Sequence, residues 1–89
     1  MRTNYDPRLR KAYDTALYQL EGKHVAGRYM GFQYAGVVTS TRQNTASYRP
    51  ELTVTLDAPI VVFGESKTAV ILDAYCLERE SLQCSIEQA

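Results

Sequence analysis

The chain predicts a mainly β (α+β) domain: an N-terminal α-helix followed by a small, strongly bent five-stranded antiparallel β-barrel, closed or nearly so. Three observations carry this expectation. A helical apolar period is confined to the first stretch, the period changes to two from Lys23 onward, and glycines concentrate in the first two extended segments. Eighty-nine residues suffice for one domain with one core. The expected division is a tail over 1–6, a helix over 7–22 and the barrel over 23–87.

The helix reads from "YDPRLRKAYDTALYQLEGK". Asp6 suits the N-cap, and Pro7 suits the first helical position, where its missing N–H costs nothing. Leu9, Ala12, Tyr13, Ala16, Leu17 and Leu20 form an apolar stripe, with Arg8, Arg10, Lys11 and Asp14 mostly opposite. Gly22 is placed to end the helix in a left-handed conformation.

Strands follow in order. "HVAGRYMGFQ" is the first and "QYAGVVTSTR" the second, with Gly31–Gln33 as the turn between them. "QNTASYRP" reads as a loop, rich in turn residues and open to motion. "ELTVTLD" alternates cleanly, and Pro59 divides it from "IVVFG" or marks an edge or bulge. "ESK" reads as a turn, "TAVILDAYCLE" as a strand and "SLQCSIE" as a short last strand. Closure follows from economy, because five short strands left flat would expose two long edges over little core.

Apolar residues at 45 % and charged residues at 22 % place the chain among ordered globular proteins. No apolar run reaches the ~20 residues of a bilayer span. The start "MRTNYDPRLRK" has no apolar core of a secretory signal, which makes the cytoplasm the expected location. Cys76 and Cys84 are too few for a zinc site; a cross-strand bridge is geometrically conceivable, but in a reducing cytosol they read as two small buried hydrophobes.

Net charge is zero, yet residues 1–49 carry eight basic and three acidic side chains, and residues 50–89 two basic and seven acidic. Either the halves neutralise each other across the fold, or the first presents a basic face.

Catalytic chemistry has little to draw on. His24 is the only histidine and reads as a cation at the helix end. Asp57 and Asp73 each follow an apolar strand and read as turn-holding residues before they read as an acid–base pair. "GRYMGFQYAG" has spaced glycines without the strand-to-helix context of a dinucleotide loop. The expectation is a protein that is not an enzyme and uses no cofactor or metal.

Binding is better supplied. Seven tyrosines are many for this length. Tyr29, Tyr34 and Tyr48 interleave with Arg28, Arg42 and Arg49, and arginine with tyrosine can neutralise phosphates and stack bases. Gln43 and Asn44 add polar groups able to meet base edges or backbone. The same composition serves protein interfaces, and tyrosines also pack barrels with their hydroxyls at the rim.

The stretch "LYQLEGKHVAGRYMGFQYAGVV" resembles the Sm and Sm-like RNA-binding proteins, a group of SH3-like small barrels. There a helix ending in leucine-x-x-leucine leads through a glycine into an alternating strand. After a turn comes an aromatic-x-glycine-x-aliphatic strand, here Tyr34-Ala35-Gly36-Val37. The likeness covers about a quarter of the chain and fades beyond residue 45; Asn44 is displaced from the family's first motif, and "VVFGES" only loosely matches the second. The resemblance implies a ring built by edge-strand pairing and a nucleic-acid or nucleotide ligand. In size and style the chain is also similar to phage and plasmid accessory proteins that bind host factors.

The leading expectation is therefore nucleic-acid or nucleotide binding through Arg28, Tyr29, Tyr34, Arg42, Gln43, Asn44, Tyr48 and Arg49. A protein-interaction module acting on a host protein is the first alternative, and a structural homo-oligomer the second.

Overall fold

A computed structural model describes residues 7–78 and 83–89. Its elements are α1 (Pro7–Tyr18), β1 (His24–Tyr29), β2 (Phe32–Gln43), β3 (Pro50–Val62), β4 (Glu65–Asp73), α2 (Ala74–Glu78) and β5 (Glu87–Gln88). The predicted N-cap and tail, residues 1–6, lie outside the described residues.

α1 stops at Tyr18, short of the predicted Gly22, and turns lead on to β1. Gly22 does take the left-handed conformation, with φ of 84°. Only part of the predicted stripe meets the sheet: Leu17 is buried, Tyr13 and Leu20 pack partly against the core, and Leu9, Ala12 and Ala16 are exposed. The helix thus leans on the sheet by its C-terminal half.

All pairings are antiparallel, and the strand order is β4-β3-β2-β1-β5. The sheet does not close into a barrel. β4 and β5 are its two edges, and β5 contributes only two residues, too few to bridge to β4. The close backbone approach foreseen at the glycines is present, however. Gly36 in β2 lies so close to β3 that a Cβ there would stand 2.2 Å from the Thr55 carbonyl oxygen. Register slips at Val38/Ser40 and again between Thr55 and Ile60. At the second slip, Leu56–Pro59 of β3 face only Thr68 of β4, so Pro59 marks a bulge inside one long strand.

Both tight hairpins have two-residue turns. Tyr29 pairs with Phe32 around Met30-Gly31, and Val62 with Glu65 around Phe63-Gly64. Their φ values, 51° and 87° then 50° and 83°, are those of mirror-image turns, whose twist matches the flanking strands. The first turn therefore sits one residue earlier than Gly31–Gln33, and "ESK" lies inside β4 instead of forming the turn.

"TAVILDAYCLE" is strand only to Asp73. There the Asp73 carboxylate accepts the Cys76 N–H at 2.8 Å and caps α2. Asp73 thus holds a turn, as read from the sequence. The predicted last strand falls partly on the undescribed residues 79–82, and its ladder is limited to Glu87 and Gln88. Cys76 and Cys84 form a disulfide, with Cα atoms 5.9 Å apart, so they are not two unlinked hydrophobes.

The core lies against one face of the sheet. Val25, Tyr34, Val38, Leu52, Val54, Leu56, Val70 and Leu72 supply it from the sheet, and Leu17, Ala74 and Cys84 cover it.

Candidate ligand-binding groove

β2 ends and β3 begins around residues 44–49, and this connection is tied by its own polar groups. Asn44 Oδ1 accepts the N–H groups of Ala46 (2.8 Å) and Ser47 (3.0 Å), an Asx turn. The Tyr48 N–H donates to the Asn44 carbonyl, and the Asn44 N–H to the Arg49 carbonyl, both at 2.8 Å. Gln43 Nε2 donates to the Tyr48 carbonyl at 3.1 Å. Tyr48 pays for this closure with φ of 60°, a left-handed conformation uncommon for a bulky residue, and its side chain is 72 % exposed.

Arg49 anchors the connection from beneath. At 2 % exposure it is the one buried charged side chain among the described residues. Its Nη2 donates to Asp14 Oδ1 of α1 at 2.6 Å, and its Nε to Asp14 Oδ2 at 3.3 Å. Its Nη1 pairs with Glu78 of α2, and its guanidinium lies 5.5 Å from the Tyr75 ring centre. The Asp14 hydrogen bond raises the Arg49 pKa above its ordinary range, against the opposing pull of burial, and Glu78 adds to the rise. One cation therefore joins two helices and a turn.

Between α1 and this turn runs a groove of about 390 Å³. Arg10, Lys11, Asp14 and Tyr18 line it from the helix; Tyr48 and Arg49 line it from the turn. Lys11 and Tyr48 stand exposed on its two sides, Tyr18 is half-buried, and Arg49 forms the floor. A larger hollow of about 490 Å³ follows β1 and the C-terminal segment, with Arg28, Ser85 and Glu87 in its lining. Its charges are mixed and its only tyrosine, Tyr34, is buried, so it offers no stacking surface.

The eight residues expected at a site are not brought to one face. Tyr34 is a core residue at 4 % exposure; its hydroxyl donates to the Ser85 carbonyl at 2.8 Å, and burial raises its pKa. Tyr29 packs partly against the core, while Arg28 is exposed on β1, in the other hollow. Arg42 is exposed but its Nε donates to Glu51 at 2.6 Å. Glu51 also accepts from Asn44 Nδ2, and the Arg42 hydrogen bond, followed by that of Asn44, holds its carboxyl below the usual range despite some desolvation. Gln43, Asn44 and Arg49 serve the architecture of the turn. Of the eight, Tyr48 alone presents a free aromatic face to the groove.

Asp14, Tyr75 and Glu78 around Arg49, and Lys11 and Tyr18 in the groove, were not legible as site residues. They converge from separate elements and no local motif marks them. His24, read as a helix cap, instead sets its Nε2 2.6 Å from Asp57 Oδ2 and links β1 to the β3 bulge. Among the described residues, no three His, Cys, Asp or Glu side chains gather as a metal site, and no helix is long and apolar enough to cross a membrane.

The uneven charge of the two halves is partly resolved by pairing across them, through Arg42–Glu51, Arg49–Glu78 and His24–Asp57. Arg10 and Lys11 of α1 line the groove. Compared with models of protein families, with curated proteins and with solved structures, the chain matches none.

Proposed function

We propose that this protein is a non-enzymatic binding domain that takes a single-stranded nucleic acid or a nucleotide in the groove between α1 and the 44–49 turn. The observation that carries the reading is Tyr48, held exposed in a left-handed conformation across the groove from Lys11 and Arg10. Backbone strain retained at a surface residue points toward a use for its side chain. Tyr48 offers a stacking face, Lys11 a phosphate contact, and Tyr18 a second aromatic wall. Arg49 and Asn44 hold the turn in place. An N-terminal helix followed by five antiparallel strands is the part of the Sm-like resemblance that is present, without the closed barrel, and the proposed ligand class is the one that resemblance implies.

Fluorescence anisotropy with labelled single-stranded RNA and DNA at low salt tests this. Tyr48→Ala should weaken binding by roughly five- to 150-fold, since a stacked base is worth roughly 1–3 kcal/mol. Lys11→Gln should flatten the salt dependence by about 0.7 in log–log slope per phosphate lost. Failure of single-stranded RNA, single-stranded DNA, duplex and mononucleotide alike at low salt ends the proposal, because phosphate attraction is strongest there.

A protein-interaction module is the second reading, favoured by the hairpin tips. Met30, Val61 and Phe63 are 41 %, 61 % and 73 % exposed, and Phe63 meets Phe32 edge-on with ring centres 5.3 Å apart. An apolar knob on two adjoining turns suits a concave apolar pocket on a host protein. A nuclease-resistant complex that Phe63→Ser abolishes and Tyr48→Ala leaves intact would favour it. A cytoplasmic location remains the sequence's expectation; the Cys76–Cys84 disulfide weighs toward an oxidising compartment.

A further inference from the structure

The outer edge of β1 is covered by the chain's own residues 83–89, through a set of contacts unlike an ordinary strand pairing. The Gly31 N–H donates to the Gln83 carbonyl at 2.9 Å, and the Ser85 N–H to the Arg28 carbonyl at 2.9 Å. The Arg28 N–H donates to Ser85 Oγ at 3.0 Å, and the Ala89 N–H to the His24 carbonyl at 2.8 Å. Only Glu87 and Gln88 pair in regular register, with Ala26 and Val25. Between these points the segment crosses above the sheet at Gly27, where a Cβ would stand 2.1 Å from the Ser85 carbonyl oxygen. That same oxygen accepts the Tyr34 hydroxyl. Cys84 is buried and Ile86 packs partly against the core.

This strap contributes little regular ladder to the edge that it covers. It adds two ladder residues to a sheet whose other strands are nine residues or longer, β1 excepted. Beneath it lies a six-residue strand with outward-facing N–H and C=O groups, a ready template for an extended segment. The tether next to it is the Cys76–Cys84 bond, which closes a short loop back to α2 and holds the strap to its own molecule.

We infer that the outer edge of β1 is a strand-docking surface for a second copy of this chain, closed by the strap while Cys76–Cys84 is oxidised and opened by its reduction. A dithiol is the reductant. Its thiolate attacks Sγ of Cys76, the half-buried cysteine, and forms a mixed disulfide as the Cys84 thiolate leaves. The second thiol of the reductant then displaces the Cys76 thiolate, which takes up a proton as Cys84 does, and the reductant departs as its own disulfide. The freed strap of one copy fits the β1 edge of another because it brings the same serine, the same two ladder residues and the same Gly27 crossing. Exchange between identical partners restores each of these hydrogen bonds, and concentration decides it. In the exchanged pair, Cys84 of one copy stands beside Cys76 of the other. A small disulfide such as oxidised glutathione then reoxidises each facing Cys84–Cys76 pair by thiol–disulfide exchange, taking up the two electrons and two protons and leaving as two thiols. Two crossed disulfides thus replace two internal ones and lock the pair covalently.

Two measurements on the full chain test this, with dithiothreitol as the reductant. In dilute, monomeric protein, hydrogen exchange should show residues 83–89 and the outward N–H groups of β1, that of Arg28 among them, losing protection by roughly tenfold or more on reduction, with β2 and β3 unchanged as the internal control that the fold persists. Reduced protein, concentrated and then reoxidised, should run as a covalent dimer on a non-reducing gel, and the oxidised protein treated alike should stay monomeric. The Cys76→Ser/Cys84→Ser variant should show the same open edge without reductant when dilute, and form a non-covalent dimer by native mass spectrometry when concentrated. Gly27→Ala should loosen 83–89 with the disulfide intact. The inference is overturned if reduction leaves the strap protected, if protection falls equally everywhere, or if reoxidation returns monomer alone. None of these outcomes depends on nucleic-acid binding.

Discussion

Arg49 shows how far a residue's role can sit from its composition. Beside tyrosine in a basic segment it reads as a phosphate contact, yet it is 2 % exposed and committed to Asp14 and Glu78. Arg49→Ala should destabilise the fold by about 2–3 kcal/mol in urea unfolding. That is below the 3–5 kcal/mol of a fully buried pair, since Glu78 is half-exposed and water can reach it. Glu51 yields a pH prediction of definite sign. Its folded pKa lies below its unfolded one, so the unfolded chain binds the extra proton between the two. The contribution is present above the unfolded pKa and is lost as pH falls through the folded one. Arg42→Gln should remove most of this acid dependence of the urea midpoint. Neither partnership has a local signature, because Asp14 stands 35 positions from Arg49 and Glu51 nine from Arg42.

Elements were legible to the extent that their signals are local. The helix start, the alternation of Leu52, Val54 and Leu56, and the break at Pro59 could be read, since proline's missing donor and a two-residue period act on the chain directly. The turns were displaced by one or a few residues because bulky Met30 and Phe63 occupy positions where asparagine or glycine is expected. The signal that could have found them is a large apolar residue followed by glycine between two strands. α2 was read as strand because Asp73 caps a helix only one turn or so long, too short for a helical period to show. The left-handed turn position carries its own test. Met30→Asn should stabilise the protein by up to about 1 kcal/mol in urea unfolding, because asparagine tolerates φ of 51° better. Gly64→Ala, at φ of 83°, should cost about 1 kcal/mol or more.

At the scale of the whole molecule, the count of strands and their antiparallel sense followed from the sequence, and closure did not. Closure depends on whether the last segment reaches the first edge of the sheet and also the far one, which no local pattern encodes. The disulfide matters at this scale as well. Cys76→Ser/Cys84→Ser should lower stability by about 2.5 kcal/mol on loop-closure grounds, less if the reduced strap exchanges as proposed.

Strands β1 to β4 are each joined to the next in sequence by a hairpin connection, and β5 alone reaches back across the chain. Such an order has a consequence for synthesis. A chain emerging from the ribosome can complete its four-strand meander from neighbouring segments, at the low entropic cost of short loops. The strap is made after all of them and must then find a strand formed at the outset. For that interval every nascent chain carries β1 uncovered, and chains made close together on one message meet in this state before any oxidant has acted on them.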